Sequence, residues 1–111
     1  MEKTVFEKII DGELPAEKVF ENDKVIAIKD IAPIAPVHLL IITKKRIESI
    51  QKLTDYSLMQ DVVQIAQQLA EEHGVADGYR LLTNCGPLAG QSVFHLHFHL
   101  IGGRPLGLLD G

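Results

Sequence analysis

The sequence has no tryptophan, a single cysteine and no long apolar run. Each absence closes a class of protein. With Cys85 alone, an intrachain disulfide is impossible and four-cysteine zinc modules are excluded. The longest apolar run, Leu39 to Ile42, is far too short to span a bilayer, so no membrane partner is expected. The start, Met1-Glu2-Lys3-Thr4, has no apolar segment behind it of the kind a secretory signal needs, and a cytoplasmic protein is expected. Positive charge is scarce as well. Eleven Lys and Arg against fifteen Asp and Glu give a net charge of −4, which argues against binding nucleic acid through a general basic surface. The one basic run, Lys44-Lys45-Arg46, reads as a solvated strand end. What remains is ordinary for a globular protein: 46% hydrophobic and 23% charged residues in 111, enough for a single domain over 1–111.

Local patterns then divide the chain. Thr4 with Glu7 three residues later forms a capping box, so a short helix is expected with Phe6, Ile9 and Ile10 on one face and Gly12 as its stop. Lys18–Glu21 and Lys24–Ile28 read as a hairpin about Asn22-Asp23, whose residues tolerate positive φ. Asp30 to Pro36 holds two prolines and is expected as a loop, and Val37 to Thr43 as a buried strand. Leu58, Val62, Ile65 and Leu69 recur at helical spacing within Thr54 to His73, and Gly74 ends that helix. Tyr79 to Thr83 and Ser92 to Ile101 read as strands on either side of a glycine-containing loop, Asn84 to Gln91. The tail from Arg104 to Gly111 has no periodicity. Five strands and two helices, several strands joined by short connections, predict an α+β fold with a mainly antiparallel sheet. A core this small gains from pairing with a second copy.

The informative segment is Phe94-His95-Leu96-His97-Phe98-His99-Leu100-Ile101. Residues two apart on a strand share a face, so His95, His97 and His99 are expected on one side and Phe94, Leu96, Phe98 and Leu100 on the other. With 5 histidines in 111 residues, such a triplet arises by chance with a probability of roughly 0.01, which sets aside an incidental polar face. A metal site is the sharper rival, because imidazole is a common zinc ligand. Spacing limits it: alternate Cα atoms lie about 6.7 Å apart, so His95 and His99 can hardly reach one ion. At most two of the three could bind, with His38 or Cys85 to complete the set, and no metal or other cofactor is expected. The third reading is nucleophilic catalysis, since a neutral imidazole nitrogen can attack phosphorus. The central His97, with a histidine on each side to orient it or move protons, is the natural nucleophile.

The pattern His-φ-His-φ-His-φ-φ, with φ hydrophobic, resembles the signature of the histidine-triad nucleotide hydrolases and transferases. Gly90-Gln91-Ser92-Val93-Phe94 before it and Gly102-Gly103-Arg104 after it resemble the Hint branch of that family. So do Asp30-Ile31-Ala32-Pro33, Ala35-Pro36-Val37-His38, and Gly78-Tyr79-Arg80 leading to Asn84. The ending Arg104-Pro105-Leu106-Gly107 resembles bacterial members, and the likeness runs from about Phe6 to Arg104.

The resemblance implies hydrolysis of purine nucleoside phosphoramidates, such as adenosine 5′-monophosphoramidate, to the nucleoside monophosphate and an amine. A dinucleoside polyphosphate hydrolase like the Fhit branch and a nucleotide-binding module with little turnover are the alternatives. By the same likeness His97 is the nucleophile, and His99 contacts the phosphate and helps protonate the departing amine. His95 and His38 hold the tautomer and orientation of His97. Asp30 accepts from the ribose hydroxyls, Asn84, Gly90, Gln91 and Ser92 surround the phosphate, and Ile10, Phe20, Ile28 and Ile31 line the base pocket. Each has a plain structural alternative: a turn-forming Asp30, a core His38, an ordinary hairpin loop at Asn84 to Ser92, aliphatics that are simply core. Cys85 is expected as a small buried hydrophobe. The family is a homodimer in which two five-stranded sheets join edge to edge into one of ten strands. Tyr79 to Asn84 and the long helix resemble its interface.

Overall fold

The structure is a computed structural model and describes residues 2–108. The tail expected to lack periodicity therefore has its last three residues, 109–111, outside the described part. Helix α1 (Val5–Ile10) begins on the expected capping box: Thr4 accepts from the Glu7 N–H while the Glu7 carboxylate accepts from the Thr4 N–H. It is followed by β1 (Lys18–Glu21), β2 (Val25–Lys29), β3 (Val37–Thr43), α2 (Ser57–Glu72), β4 (Tyr79–Leu82) and β5 (His97–Gly102). Short 3₁₀ turns at Ile50–Lys52 and Pro87–Ala89 interrupt two of the connections. The strands form one sheet in the order β1-β2-β3-β5-β4, every neighbouring pair antiparallel, so the α+β fold expected from the strand and helix count is the fold observed. Among the described residues no helix is long and apolar enough to cross a membrane.

The period-two alternation sorts the side chains onto two buried faces. On one, Val25, Ala27, Leu39, Ile41, Phe98 and Leu100 pack with Leu58, Val62, Ile65 and Leu69 of α2. On the other, Ile26, Ile28, Leu40 and Ile42 pack with Phe6 and Ile9 of α1. Because both faces are covered, β2 and β3 are apolar at almost every position, and β3 reads in the sequence as an uninterrupted strand. The single polar residue within its first half, His38, stays buried. At the end of β5, a Cβ on Gly102 would lie 3.1 Å from the Gly78 carbonyl oxygen and 3.1 Å from Val75 Cβ, so glycine lets the strand pass under the α2–β4 connection.

Several boundaries differ from the sequence reading. The hairpin turn uses no positive φ, because the Asn22 side chain accepts from the N–H groups of Lys24 and Val25 and closes the turn itself. Helix α2 starts at Ser57 rather than Thr54: Leu53 closes the preceding 3₁₀ turn, and the Asp55 side chain accepts from the Ser57 N–H. Strand β5 starts at His97 rather than Ser92. Residues before it are drawn away from strand geometry, and Phe94, expected in the core, is 41% exposed. Cys85, expected to be buried, is exposed.

Candidate active site

His97 and His99 alternate along β5 and therefore share the face that α1 covers, with ring centroids 5.3 Å apart. His95 reaches the same neighbourhood from the irregular segment before the strand, and Phe6 of α1 meets the rings of both His95 and His97 edge-on, at 6.0 and 4.8 Å. His38 enters from β3, one strand over, where Leu40 pairs with His99. The hydrogen-bond partners of these four rings assign their tautomers, because a carbonyl only accepts and a backbone N–H only donates.

His95 donates from Nε2 to the Thr43 carbonyl at 2.6 Å, so its Nδ1 is an acceptor and takes the Thr4 hydroxyl at 3.0 Å. His97 donates from Nδ1 to the His95 carbonyl at 2.7 Å, which leaves Nε2 with a bare lone pair. His38 accepts the Ile34 N–H at Nδ1, 3.2 Å, so Nε2 carries the proton and donates to His99 Nδ1 at 2.9 Å. His99 in turn must hold its proton on Nε2. One ring thus presents a lone pair and its neighbour an N–H. The same logic corrects the expected role of His38: its ring bonds to His99, not to His97. His97 is instead held by a main-chain carbonyl, that of His95.

Burial favours the neutral form of the three triad rings. It pushes His95 below the ordinary imidazole range, against the pull of the Thr43 carbonyl. It does the same to His97, against the His95 carbonyl and Asp30. His99 is pushed down to about 4, by burial first and then by the neighbouring His97 and His38.

Asp30 follows β2. One of its oxygens accepts from the Ala32 N–H at 2.8 Å and the other lies 3.4 Å from His38 Nε2, so the turn-forming role and a place in the site coexist. Asp30, His38 and His99 bring three ligand-type atoms within 4.8 Å of one another, which raises the metal question again. The donor set does not suit it. A metal on His38 Nε2 would move the proton to Nδ1, where it would face the Ile34 N–H; metal-bound imidazoles need an acceptor there.

The loop before the triad behaves differently from expectation. Gly86 and Gly90 take positive φ and bracket the Pro87–Ala89 turn. The N–H groups of Gly86, Ala89, Gly90 and Gln91 are all bonded within the loop, so these four do not point at an anion. Gln91, expected on the phosphate, is buried: it accepts from Gly86 N–H and donates to the carbonyls of Glu48 and Val93. It is a brace for the loop. Ser92 is exposed. Asn84 lines an open pocket of about 320 Å³ with His38, His99, Ile34, Leu82 and Ile101, beside the His99 ring.

Of the expected apolar wall, Ile28 and Ile10 do belong to the histidine face, whereas Ile31 is 97% exposed. Phe20 packs on the α2 face instead. The reason is a register shift between Lys18 and Phe20, which pairs Phe20 with Ala27 rather than Ile26 and so turns its side chain to the other side. The aromatic that does stand against the triad is Phe6, together with Ile9. Both were legible as the apolar face of α1, but only the fold places that face over the histidines.

A family model of the HIT domain matches residues 11–106. The chain belongs to the HIT-domain family. It is 56% identical over 108 residues to a HIT-like protein of Chlamydia pneumoniae, spanning 96% of this chain and 98% of that one. It is 42% identical over 109 residues to a purine nucleoside phosphoramidase of Escherichia coli strain K12, spanning 96% and 92%. Among solved structures, a HIT family hydrolase from Clostridium thermocellum superposes with a TM-score of 0.93 at 49% identity, covering 97% of this chain and 96% of that one. The resemblance read from His95, His97 and His99 is thus borne out at the level of the family.

Proposed function

We propose that this HIT-domain protein is a nucleotide hydrolase, specifically a purine nucleoside phosphoramidase acting as a single domain. The observation that carries the reading is the pairing of complementary tautomers on neighbouring strand positions: a bare Nε2 on His97 and an Nε2–H on His99. The Nε2 lone pair of His97 attacks the phosphorus of an adenosine 5′-phosphoramidate or aminoacyl adenylate. The bond from phosphorus to the leaving group breaks, and the leaving atom takes a proton delivered through His99. Positive charge grows on the His97 ring as the bond forms, and the His95 carbonyl on its Nδ1–H stabilises it.

A bound phosphate also changes His99. Its negative charge favours the imidazolium, so the ring that is neutral in the free protein gains a proton on Nδ1 when substrate arrives, and the His38 Nε2–H it displaces turns to the Asp30 oxygen 3.4 Å away. Water then attacks phosphorus, the bond to His97 breaks, and nucleoside monophosphate leaves with the ring restored. Asp30 takes the ribose through the oxygen not held by Ala32. Asn84 and Ser92 edge the phosphate end, and Phe6, Ile9 and Ile28 with the outlying Ile31 edge the base. The identity to a relative named for phosphoramidase activity supports the substrate class.

We further place the protein in the cytoplasm as a homodimer, joined through β4, which lies at one edge of the sheet. Steady-state kinetics on adenosine phosphoramidate, an aminoacyl adenylate and a diadenosine polyphosphate, side by side, tests the reading. Preference for the first two is expected. Faster cleavage of the polyphosphate, or none of the three, overturns it.

A further inference from the structure

Helix α1 carries a polar contact that the reaction above does not use. The Thr4 hydroxyl has two engagements at once. Its oxygen accepts the Glu7 N–H at 3.1 Å and caps α1, and its hydrogen is directed to His95 Nδ1 at 3.0 Å. His95 is completely buried. Its other ring nitrogen is tied to the Thr43 carbonyl, and its own main-chain carbonyl takes the Nδ1–H of His97. Two hydrogen bonds, joined through the covalent frame of His95, therefore link the helix cap to the side chain proposed to attack phosphorus.

We propose that Thr4 is a positioning residue for His97: by donating to His95 Nδ1 it fixes the His95 tautomer and ring, and through the His95 carbonyl it holds His97 with its proton on Nδ1 and its lone pair outward. The catalytic half of this rests on His97 being the nucleophile; the tautomer half does not.

The physical case is one of matching. A buried ring nitrogen without a partner is costly, and here only a donor satisfies Nδ1, because Nε2 already holds the proton. Thr4 supplies that donor and needs no charge to do so. The charged groups near His95 are Glu7, which lies on the same helix turn, and Arg46, which pairs with Glu7 at 3.2 Å; the third neighbour is His97 itself. The Glu7 carboxylate is turned to Arg46 and to the Thr4 N–H, leaving the hydroxyl as the contact to the ring. The match of the HIT domain begins at residue 11, so Thr4 lies before it.

Three substitutions separate this role from simple capping. Thr4→Ser keeps acceptor and donor. Thr4→Asp keeps the cap, since Asp is a good cap acceptor, but offers Nδ1 only acceptors. Thr4→Val removes both. Tautomers are read by ¹⁵N NMR of histidine-labelled protein, and turnover by kcat and KM on adenosine phosphoramidate. In the unsubstituted protein, His95 is expected as the Nε2–H form and His97 as the Nδ1–H form. Thr4→Ser retains both. In Thr4→Asp, His95 gains a proton on Nδ1, His97 shows mixed tautomers, and kcat falls about tenfold with KM nearly unchanged.

Two results overturn the proposal. One is a His95 that carries its proton on Nδ1 in the unsubstituted protein, a measurement that needs no variant to fold. The other is a Thr4→Asp protein with unaltered tautomers and kcat, which would leave Thr4 as a helix cap alone. If no phosphoramidate is turned over by any form, the proposed function fails, and the NMR spectra still decide the tautomer.

Discussion

The proposed proton transfer turns on His99 changing from a neutral ring to an imidazolium as phosphate binds, and its starting state is measurable without substrate. Its ring is half-buried on the α1 face, accepts from His38 and stands 5.3 Å from His97. No full charge of opposite sign compensates for the lost water except Asp30, which is the weakest of the four influences. The ring is accordingly held at about 4. At pH 5.5, an imidazole with the usual value of about 6.5 is roughly nine-tenths protonated, whereas one at about 4 is roughly one-thirtieth protonated. A ¹H–¹⁵N titration of the free protein distinguishes these by inspection at one pH. Adding AMP places negative charge beside the ring, and the midpoint then moves upward. The sign for stability follows. The unfolded chain binds the proton near 6.5 and the fold near 4, so stability is full above about 6.5 and declines as pH falls from there toward about 4. A His99 midpoint at 6.5 in the free protein would refute the burial argument, and one that ignores AMP would refute the donor role.

His97→Ala is expected to lower turnover by at least about 10³-fold while nucleotide still binds, and acid-quench mass spectrometry of the unsubstituted protein should find the nucleotide on His97 and nowhere else. Asp30→Ala is expected to raise KM for ribonucleotide substrates more than for 2′-deoxy ones, a charged hydrogen bond being typically worth about 1.5–3 kcal/mol; equal effects would remove it from the 2′-hydroxyl. Turnover is expected to survive exhaustive chelation, since His38 Nδ1 faces an N–H; loss that zinc restores would refute this. Gln91→Ala, which strips three hydrogen bonds from a buried brace, is expected to cost about 1–3 kcal/mol in urea unfolding and to lower kcat indirectly.

Much of the fold is legible because its elements are specified locally. The Thr4–Glu7 box and Gly12 bound α1, and the spacing of Leu58, Val62, Ile65 and Leu69 sets the buried face of α2. What escapes is whatever a distant partner decides. Nothing near Phe20 announces the register shift that turns it to the α2 face; the pairing of β1 with β2 imposes it. Likewise Phe94 to Leu96 continues the alternation of β5, but Gln91 is anchored to the Glu48 carbonyl and Leu96 donates to the Ile47 carbonyl, so the connection after β3 bends this segment out of the sheet.

The site divides along the same line. Alternation alone puts His97 and His99 together, since two residues on one strand two apart have no other choice. Alternation cannot assign protons. Beside the Thr4 hydroxyl, those assignments come from main-chain groups: the Thr43 carbonyl for His95, the His95 carbonyl for His97, and the Ile34 N–H for His38, which directs its own proton toward His99. Each of these partners is a backbone atom, so substituting its residue leaves the bonding group in place, and no side-chain pattern in the sequence encodes it. The proline-bearing loop after Asp30 accordingly has a second task beyond the turn. By holding the Ile34 N–H against His38, it sets the first proton in a relay whose last member faces the pocket. A change in that loop that preserves every histidine can still misplace the proton on His99.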